Sequence, residues 1–264
     1  MLESRALTRG FGTEVVGLDL SQPVDARLAA ELRGLLDRCL VLLFRGQSLS
    51  PDVQIAFARH FGTLQMPELS MISNVGPDGR PEGEHPNLTT LLWHTDASYS
   101  SYPPNATVLY AEAVPAAGGH TLFADTLAAH EALSEADRAR LASLRVLHDV
   151  SVMVGRVGYS PPRQSWPPVE HPLLRTHPPT GRRGIYIGGH VDRIVGLSED
   201  ESAEVIERLM THTTQPRFVY EHTWQPGDLL IWDNRATLHR ATEYDTAGES
   251  RIMRRAVVTG DAPY

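Results

Sequence analysis

Apolar positions recur at helical spacing in a few stretches of this chain, but short, nearly uniform apolar runs outnumber them. Leu28, Leu32, Leu35, Leu36 and Cys39 predict an amphipathic helix over about residues 24–38. The run 40–44 that follows is too short and too uniformly apolar for a helix and predicts a buried strand. Ser50 before Pro51 marks a capped second helix reaching about Phe61-Gly62. Further strands are predicted over 15–20, 107–114, 120–125, 184–187, 218–222, 228–232 and 251–259. Gly118-Gly119 and Pro226-Gly227 supply two of the turns. A helical hairpin is expected at about 126–143 with Ser134 as a cap. A last helix is expected over 198–211, with Val205, Ile206 and Leu209 facing inward.

Two stretches break the rhythm. Residues 75–90 carry Gly76, Pro77, Gly79, Pro81, Gly83 and Pro86 and read as a long loop, and residues 155–183 read as an extended excursion rich in Pro, Gly and Arg. Loops of such length are usually functional or mobile, and the segments 75–90 and 155–170 are expected to act as lids. Short strands on both sides of a helical insert predict a mainly β fold with helical decoration. Its core is expected to be a double-stranded β-helix, a jelly roll of cupin type. No domain boundary stands out, so residues 1–264 are expected to form a single domain.

Composition narrows the class. With 41% hydrophobic and 21% charged residues the chain reads as a soluble globular protein. No apolar run is long enough for a bilayer, and Met1-Leu2-Glu3-Ser4-Arg5 does not resemble a secretory leader. Cys39 is the only cysteine, which excludes an internal disulfide and argues for a reducing, cytoplasmic setting. A net charge of −8 argues against nucleic acid as a partner, and no membrane partner is expected. Arginines converging locally would still bind small anions.

The candidate chemistry lies in two distant motifs, Trp93-His94-Thr95-Asp96 and Trp232-Asp233-Asn234-Arg235-Ala236-Thr237-Leu238-His239. On an extended segment His94 and Asp96 leave the same face. With His239 they make two imidazoles and a carboxylate. That facial set holds non-haem Fe(II) and leaves coordination sites open for oxygen and an organic co-substrate. The same donors bind Zn(II), so a metal-binding jelly roll without redox chemistry is the alternative from the triad alone. Arg251 and Arg255 add a second signal. Four apart on a strand, they share a face roughly 13 Å apart, with Arg254 pointing the other way. Two guanidinium groups aimed into one cavity call for anions. Trp93 and Trp232 read as packing, Asp233 and Asn234 as organisers of the turn before His239, and Arg235 and Arg254 as structural. His171 and His177 read as loop residues, and His120 is given no role.

Taken in order, Trp-His-Thr-Asp, Gly-Gly-His-Thr-Leu-Phe-Ala-Asp, Trp-Asp-Asn-Arg-x-x-x-His and Arg-Ile-Met-Arg-Arg resemble the taurine / 2,4-dichlorophenoxyacetate dioxygenases, which depend on Fe(II) and 2-oxoglutarate. The resemblance spans about Gly12 to Gly260. It implies that His94, Asp96 and His239 bind Fe(II), that Arg251 with Thr121 binds the distal carboxylate of 2-oxoglutarate, and that Arg255 binds the acidic group of the prime substrate. It implies O2 as second co-substrate, release of succinate and CO2, and a homo-oligomer, dimer or tetramer. With Asp96 the chain resembles the hydroxylating branch, since related halogenases carry a small residue there. His190, in Gly188-Gly189-His190, matches a histidine of the phenoxyacetate-type enzymes where the taurine type has phenylalanine, and is expected in the substrate pocket. Thr90 stands where the taurine type has asparagine. An aryloxyalkanoate-like carboxylic acid is therefore the expected substrate, oxidised near its acid group, with a taurine-like sulfonate as the alternative.

Overall fold

The protein is described from a computed structural model covering residues 2–8, 11–160 and 166–264. Its most apolar run lies in the middle of a sheet. Strand β3 (Val41–Phe44), buried at all four positions, pairs in parallel with β2 (Thr13–Val15) and antiparallel with β13 (Leu229–Asp233). Beyond β13 come β5 (Ala106–Ala113), β15 (Ile252–Val258) and the edge strand β4 (Ser70–Ser73), while β1 (Ser4–Ala6) closes the other edge. Side chains alternate across this seven-stranded sheet, as a pleat of period two requires. Leu42, Phe44, Val108 and Ile231 face helices α1 (Ala26–Cys39) and α2 (Pro51–Arg59), packing on Leu32, Leu36 and Phe57. Val41, Leu43, Leu109, Trp232 and Met253 face the opposite way, into the space between two sheets.

The second wall is a three-stranded sheet, β12 (Val219–His222), β6 (Thr121–Asp125) and β14 (Thr237–Ala241), with β6 in the centre. Phe123 and Tyr220 close the inner core, the Phe123 ring 5.4 Å from Trp232. Together the two sheets form the jelly roll. The outer face of the small sheet, Ala124 and Leu238, packs on α3 (Thr126–Glu131) and α6 (Glu199–Thr213). The same cluster takes in Leu141 of α4 (Glu135–Leu141), Val146 of β7 (Arg145–His148) and Ile194 of β11 (Val191–Ile194). Helix α5 (Val150–Arg156), β8 (Val169–Pro172) beside β7, and the hairpin β9 (Leu174–Thr176) with β10 (Arg183–Ile185) complete this side. No helix among the described residues is long and apolar enough to cross a membrane.

The two serine caps read from the sequence form, and a third joins them. Ser50 accepts from the Val53 amide, Ser134 from that of Asp137, and Ser198 forms a reciprocal capping box with Glu201. The departures are local. The strand expected at 15–20 is β2, because Gly17 turns the chain away at φ 73°. Leu40 does not begin β3. It ends α1 in the left-handed region at φ 64°, its amide on the Leu36 carbonyl, and its buried side chain offsets that backbone cost. Helix α2 stops at Arg59, and β4 was not anticipated because its edge residues are largely polar or exposed. The excursion 155–183 holds β8 and β9, and residues 161–165 of the expected lid lie outside the described residues.

Candidate active site

Strand pairing brings the distant motifs together. His94 and His239 face each other across an antiparallel bridge, each amide donating to the other's carbonyl at 2.9 and 2.7 Å. Directly opposed residues project to one side of a ladder, so the two rings sit 4.2 Å apart between centroids. Asp96, two residues on, shares that side, and its Oδ1 lies 3.8 Å from His239 Nε2. One ligand atom from each of the three lies within 4.8 Å of the others. Gly188 passes behind His94, where a Cβ would stand 3.2 Å from the His94 Cα.

Protonation suits a metal. His94 Nδ1 lies 2.7 Å from the Leu92 carbonyl. A carbonyl only accepts, so the proton is on Nδ1 and the Nε2 lone pair is free. Burial keeps His94 below its ordinary value and takes His239 down to about 3, so both rings are neutral at pH 7. Burial pushes the Asp96 carboxyl up, but His239, Arg255, His94 and the Thr107 hydroxyl outweigh it and hold it at about 2. Two neutral imidazoles and a carboxylate are the donor states that a divalent ion requires.

Asp96 is held by a chain of hydrogen bonds that the sequence did not reveal. Trp232 Nε1 donates to Asn234 Oδ1 at 2.9 Å, Asn234 Nδ2 to Thr107 Oγ1 at 2.9 Å, and the Thr107 hydroxyl to Asp96 Oδ2 at 2.6 Å. Asn234 therefore orients a carboxylate as well as the turn to which it was assigned. Trp232 also packs its ring 4.8 Å from His239.

Arg251 and Arg255 line the same pocket as His94, Asp96, His239 and Thr121. Arg254 points away, as period two requires, pairing with Glu112 at 3.0 Å and lying over the Tyr110 ring. Arg251 is 6% exposed, and among the described residues no carboxylate lies within ion-pair distance of it. Its Nε donates to the Gly119 carbonyl at 3.3 Å, and burial lowers it to about 10. The Gly118-Gly119 turn makes this approach possible. A Cβ on Gly118 would fall 2.3 Å from the Glu243 carbonyl, and one on Gly119 would fall 2.8 Å from Pro115. Thr121 Oγ1 accepts from Trp224 Nε1 at 2.9 Å, which leaves the hydroxyl proton to donate elsewhere. Trp224 gave no sequence signal. Neither did Asn74, whose side chain ties the Arg251 amide to the 246–249 turn, nor His85, which lines the pocket.

A second pocket opens from the first and shares Thr90, His94, Asp96 and Arg255 with it. His190, Tyr99, Met153 and Pro104 also line it. Arg255 donates to Ser70 Oγ at 3.2 Å and has no carboxylate partner among the described residues. His190 is buried 5.0 Å from the Tyr99 ring, and burial takes it to about 3, so it is neutral.

Of the two histidines read as loop residues, His171 lies in β8 and His177 does sit in the turn between β9 and β10, and both are buried. His171 Nε2 donates to the carbonyls of Ser98 and Ser100, both at 3.0 Å. His177 pairs with Asp233 at 3.0 Å. Asp37, His177 and Asp233 would by distance hold a metal, but the Arg235 guanidinium already pairs with both carboxylates, at 2.6 Å from Asp233 and 3.1 Å from Asp37. That cluster is an ion-pair network.

Known proteins resemble this chain along nearly its whole length. The family model described as taurine catabolism dioxygenase TauD, TfdA family matches residues 3–257. The α-ketoglutarate-dependent 2,4-dichlorophenoxyacetate dioxygenase of Cupriavidus pinatubonensis is 38% identical, with 96% of each chain covered. The (S)-phenoxypropionate/α-ketoglutarate dioxygenase of Sphingobium herbicidovorans is 36% identical over 95% of this chain and 92% of the relative. The crystal structure of AAD-2 with Mn(II) and N-oxalylglycine superposes with a TM-score of 0.93 at 36% identity, covering 99% of both chains.

Proposed function

The chain belongs to the taurine catabolism dioxygenase TauD, TfdA family, and we propose that this 2-oxoglutarate-dependent dioxygenase oxidises an aryloxyalkanoate-like carboxylic acid close to its acid group. The observation that carries the 2-oxoglutarate dependence is a buried arginine with no counter-ion among the described residues, Arg251, in the pocket of the His94, Asp96 and His239 trio, and Arg255 on the same wall carries the acid-binding part. That pocket offers one divalent metal and one anion a place side by side.

His94, Asp96 and His239 would hold Fe(II), and their donor set fits it. When bound, the iron supplies the coupling of 2-oxoglutarate decarboxylation, yielding succinate and CO2, to insertion of an oxygen atom from O2 into a substrate C–H bond. Arg251 binds the distal carboxylate of 2-oxoglutarate, with the Thr121 hydroxyl donating beside it. Thr107 keeps Asp96 turned toward the metal. Arg255, on the wall common to both pockets, takes the substrate's acid with help from His190, and Tyr99 and Met153 pack against its apolar body. An acid held at Arg255 places the neighbouring carbon next to the metal trio. Relatives acting on dichlorophenoxyacetate and phenoxypropionate support this substrate class.

We further place residues 1–264 in one catalytic domain, assembled as a homo-oligomer by family likeness, and the lone cysteine supports a cytoplasmic setting. Substrate-dependent succinate release across aryloxyalkanoates, other carboxylic acids, sulfonates and sulfate esters tests the function. Aryloxyalkanoates are expected to give the highest kcat/KM. Release with sulfonates alone would transfer the enzyme to the taurine-like alternative, and no release with any compound would favour the non-redox one.

A further inference from the structure

His190 is not an isolated pocket side chain but one end of a buried polar chain. Its Nδ1 lies 3.1 Å from Ser98 Oγ, and the same oxygen lies 3.0 Å from Nδ1 of His148. His148 is fully buried, and its ring is 5.2 Å from that of Tyr186. The Arg175 guanidinium, 2% exposed, sits 5.0 Å from the Tyr186 ring centroid. His148 Nε2, the Tyr186 hydroxyl and Arg175 Nε and Nη1 are all buried without a protein hydrogen-bond partner. Nothing in the metal or 2-oxoglutarate sites requires this arrangement.

Hydrogen-bond chemistry gives the chain a direction. Ser98 Oγ carries one proton and, among the described residues, meets only these two imidazoles, so that buried proton is satisfied only if it donates to one and accepts from the other. One Nδ1 is therefore protonated and the other is not. The far end decides which. A guanidinium has donors only, so a protonated His148 Nε2 would turn one more donor toward a region already supplied with them. An unprotonated Nε2 turns a lone pair, and no further N–H, toward the side where the Arg175 charge acts on His148. His148 then carries its proton on Nδ1 and donates to Ser98, and Ser98 donates to Nδ1 of His190. The His190 proton is left on Nε2, for the pocket that this ring lines.

We propose that Ser98, His148 and Arg175 are positioning residues that fix His190 as its Nε2–H tautomer, so that it recognises substrates with a hydrogen-bond acceptor, a carboxylate or ether oxygen, at that place. The proposal rests on the reading of His190 as a substrate-pocket residue. It adds selectivity to the charge of Arg255, because a substrate offering a hydroxyl or amine donor there meets a second donor.

The test starts with histidine 15N NMR of the Zn(II)-loaded, 2-oxoglutarate-bound full chain, with the His190 signals assigned by their loss in His190→Phe. The parent is expected to show Nε2–H and a bare Nδ1 at His190, and the opposite tautomer would overturn the proposal. Ser98→Ala removes a single oxygen atom and is expected to mix the two tautomers. With Fe(II) it should raise the KM of an aryloxyacetate about tenfold, leaving kcat and the KM for 2-oxoglutarate within about twofold. His148→Phe should do the same. A merely structural role would leave the tautomer unchanged in Ser98→Ala, and that result would refute the proposal. If His190→Phe leaves the substrate KM unchanged, the pocket reading of His190 fails, while the tautomer measurement still judges the relay by itself.

Discussion

Replacing Arg251 by glutamine should weaken 2-oxoglutarate binding and, at the same time, should not destabilise the unliganded protein. Burial brings the Arg251 guanidinium down to about 10. At about 1.4 kcal/mol for each tenfold change in proton affinity, keeping it charged in the folded chain costs on the order of 3 kcal/mol. Because the folded value is the lowered one, the cost is complete at every pH below about 10 and is relieved only as pH rises from there toward the ordinary arginine value. At pH 7 it is borne in full. A carboxylate from 2-oxoglutarate would compensate it, so losing the pair should cost roughly 2–5 kcal/mol of binding, or about 30- to 5,000-fold in Kd. The assay is calorimetric titration of the Mn(II)-loaded protein with 2-oxoglutarate, beside thermal unfolding with and without the ligand. Arg251→Gln should bind Mn(II) as the parent does, melt no lower when unliganded, and lose most of the ligand-induced rise in Tm. A 2-oxoglutarate Kd within about threefold of the parent, or an unliganded variant melting several degrees lower, would refute the assignment of a ligand anion to this arginine.

His94→Ala, Asp96→Ala and His239→Ala should each abolish tight Mn(II) binding, read by calorimetry, while the circular dichroism spectrum is retained; wild-type affinity in all three would remove the metal site. Arg255→Gln should lose substrate-coupled turnover but keep the slow substrate-independent consumption of 2-oxoglutarate, measured as succinate, and full activity on acids in that variant would mean that the acid is held elsewhere. His148 is held well below the ordinary imidazole value, chiefly by burial and further by the neighbouring His171 and His190 imidazoles and the Arg175 guanidinium, which disfavour a second positive charge. The unfolded chain therefore takes up the proton first, and stability should fall as pH drops below about 6.5. Urea midpoints between pH 8 and 5 should show this slope, and His148→Phe should make it shallower by one histidine's share, since burial depresses His94, His190 and His239 as well. Amide hydrogen exchange over residues 84–90, which include the pocket residues His85, Asn87, Thr89 and Thr90, should slow when 2-oxoglutarate and substrate bind the Zn(II) protein; equal protection would make the segment an ordinary surface loop.

Residue type and short-range spacing carried a large share of this protein. Uniform apolar runs marked β3, β5 and β13, and serine caps marked two helices, because burial and capping are local demands that the chain states within a few residues. The trio His94, Asp96 and His239, and the pair Arg251 and Arg255, were legible for the same reason: period two fixes which side chains share a face, and two imidazoles with a carboxylate have few uses. Other features depended on which strands meet. The His94–His239 bridge joins residues far apart in the chain, and only the ladder sets its register. Thr107, Asn234, Trp224 and Ser98 are ordinary polar or aromatic residues whose partners lie 11, 127, 103 and 92 positions away. No periodicity links such pairs, since their hydrogen bonds exist only after the sheets close. His171 and His177, placed in loops because a proline follows each, are buried by packing that their neighbours in sequence do not specify. Composition decided what chemistry this chain was able to perform, and tertiary closure decided which neutral side chains hold its charged ones in place.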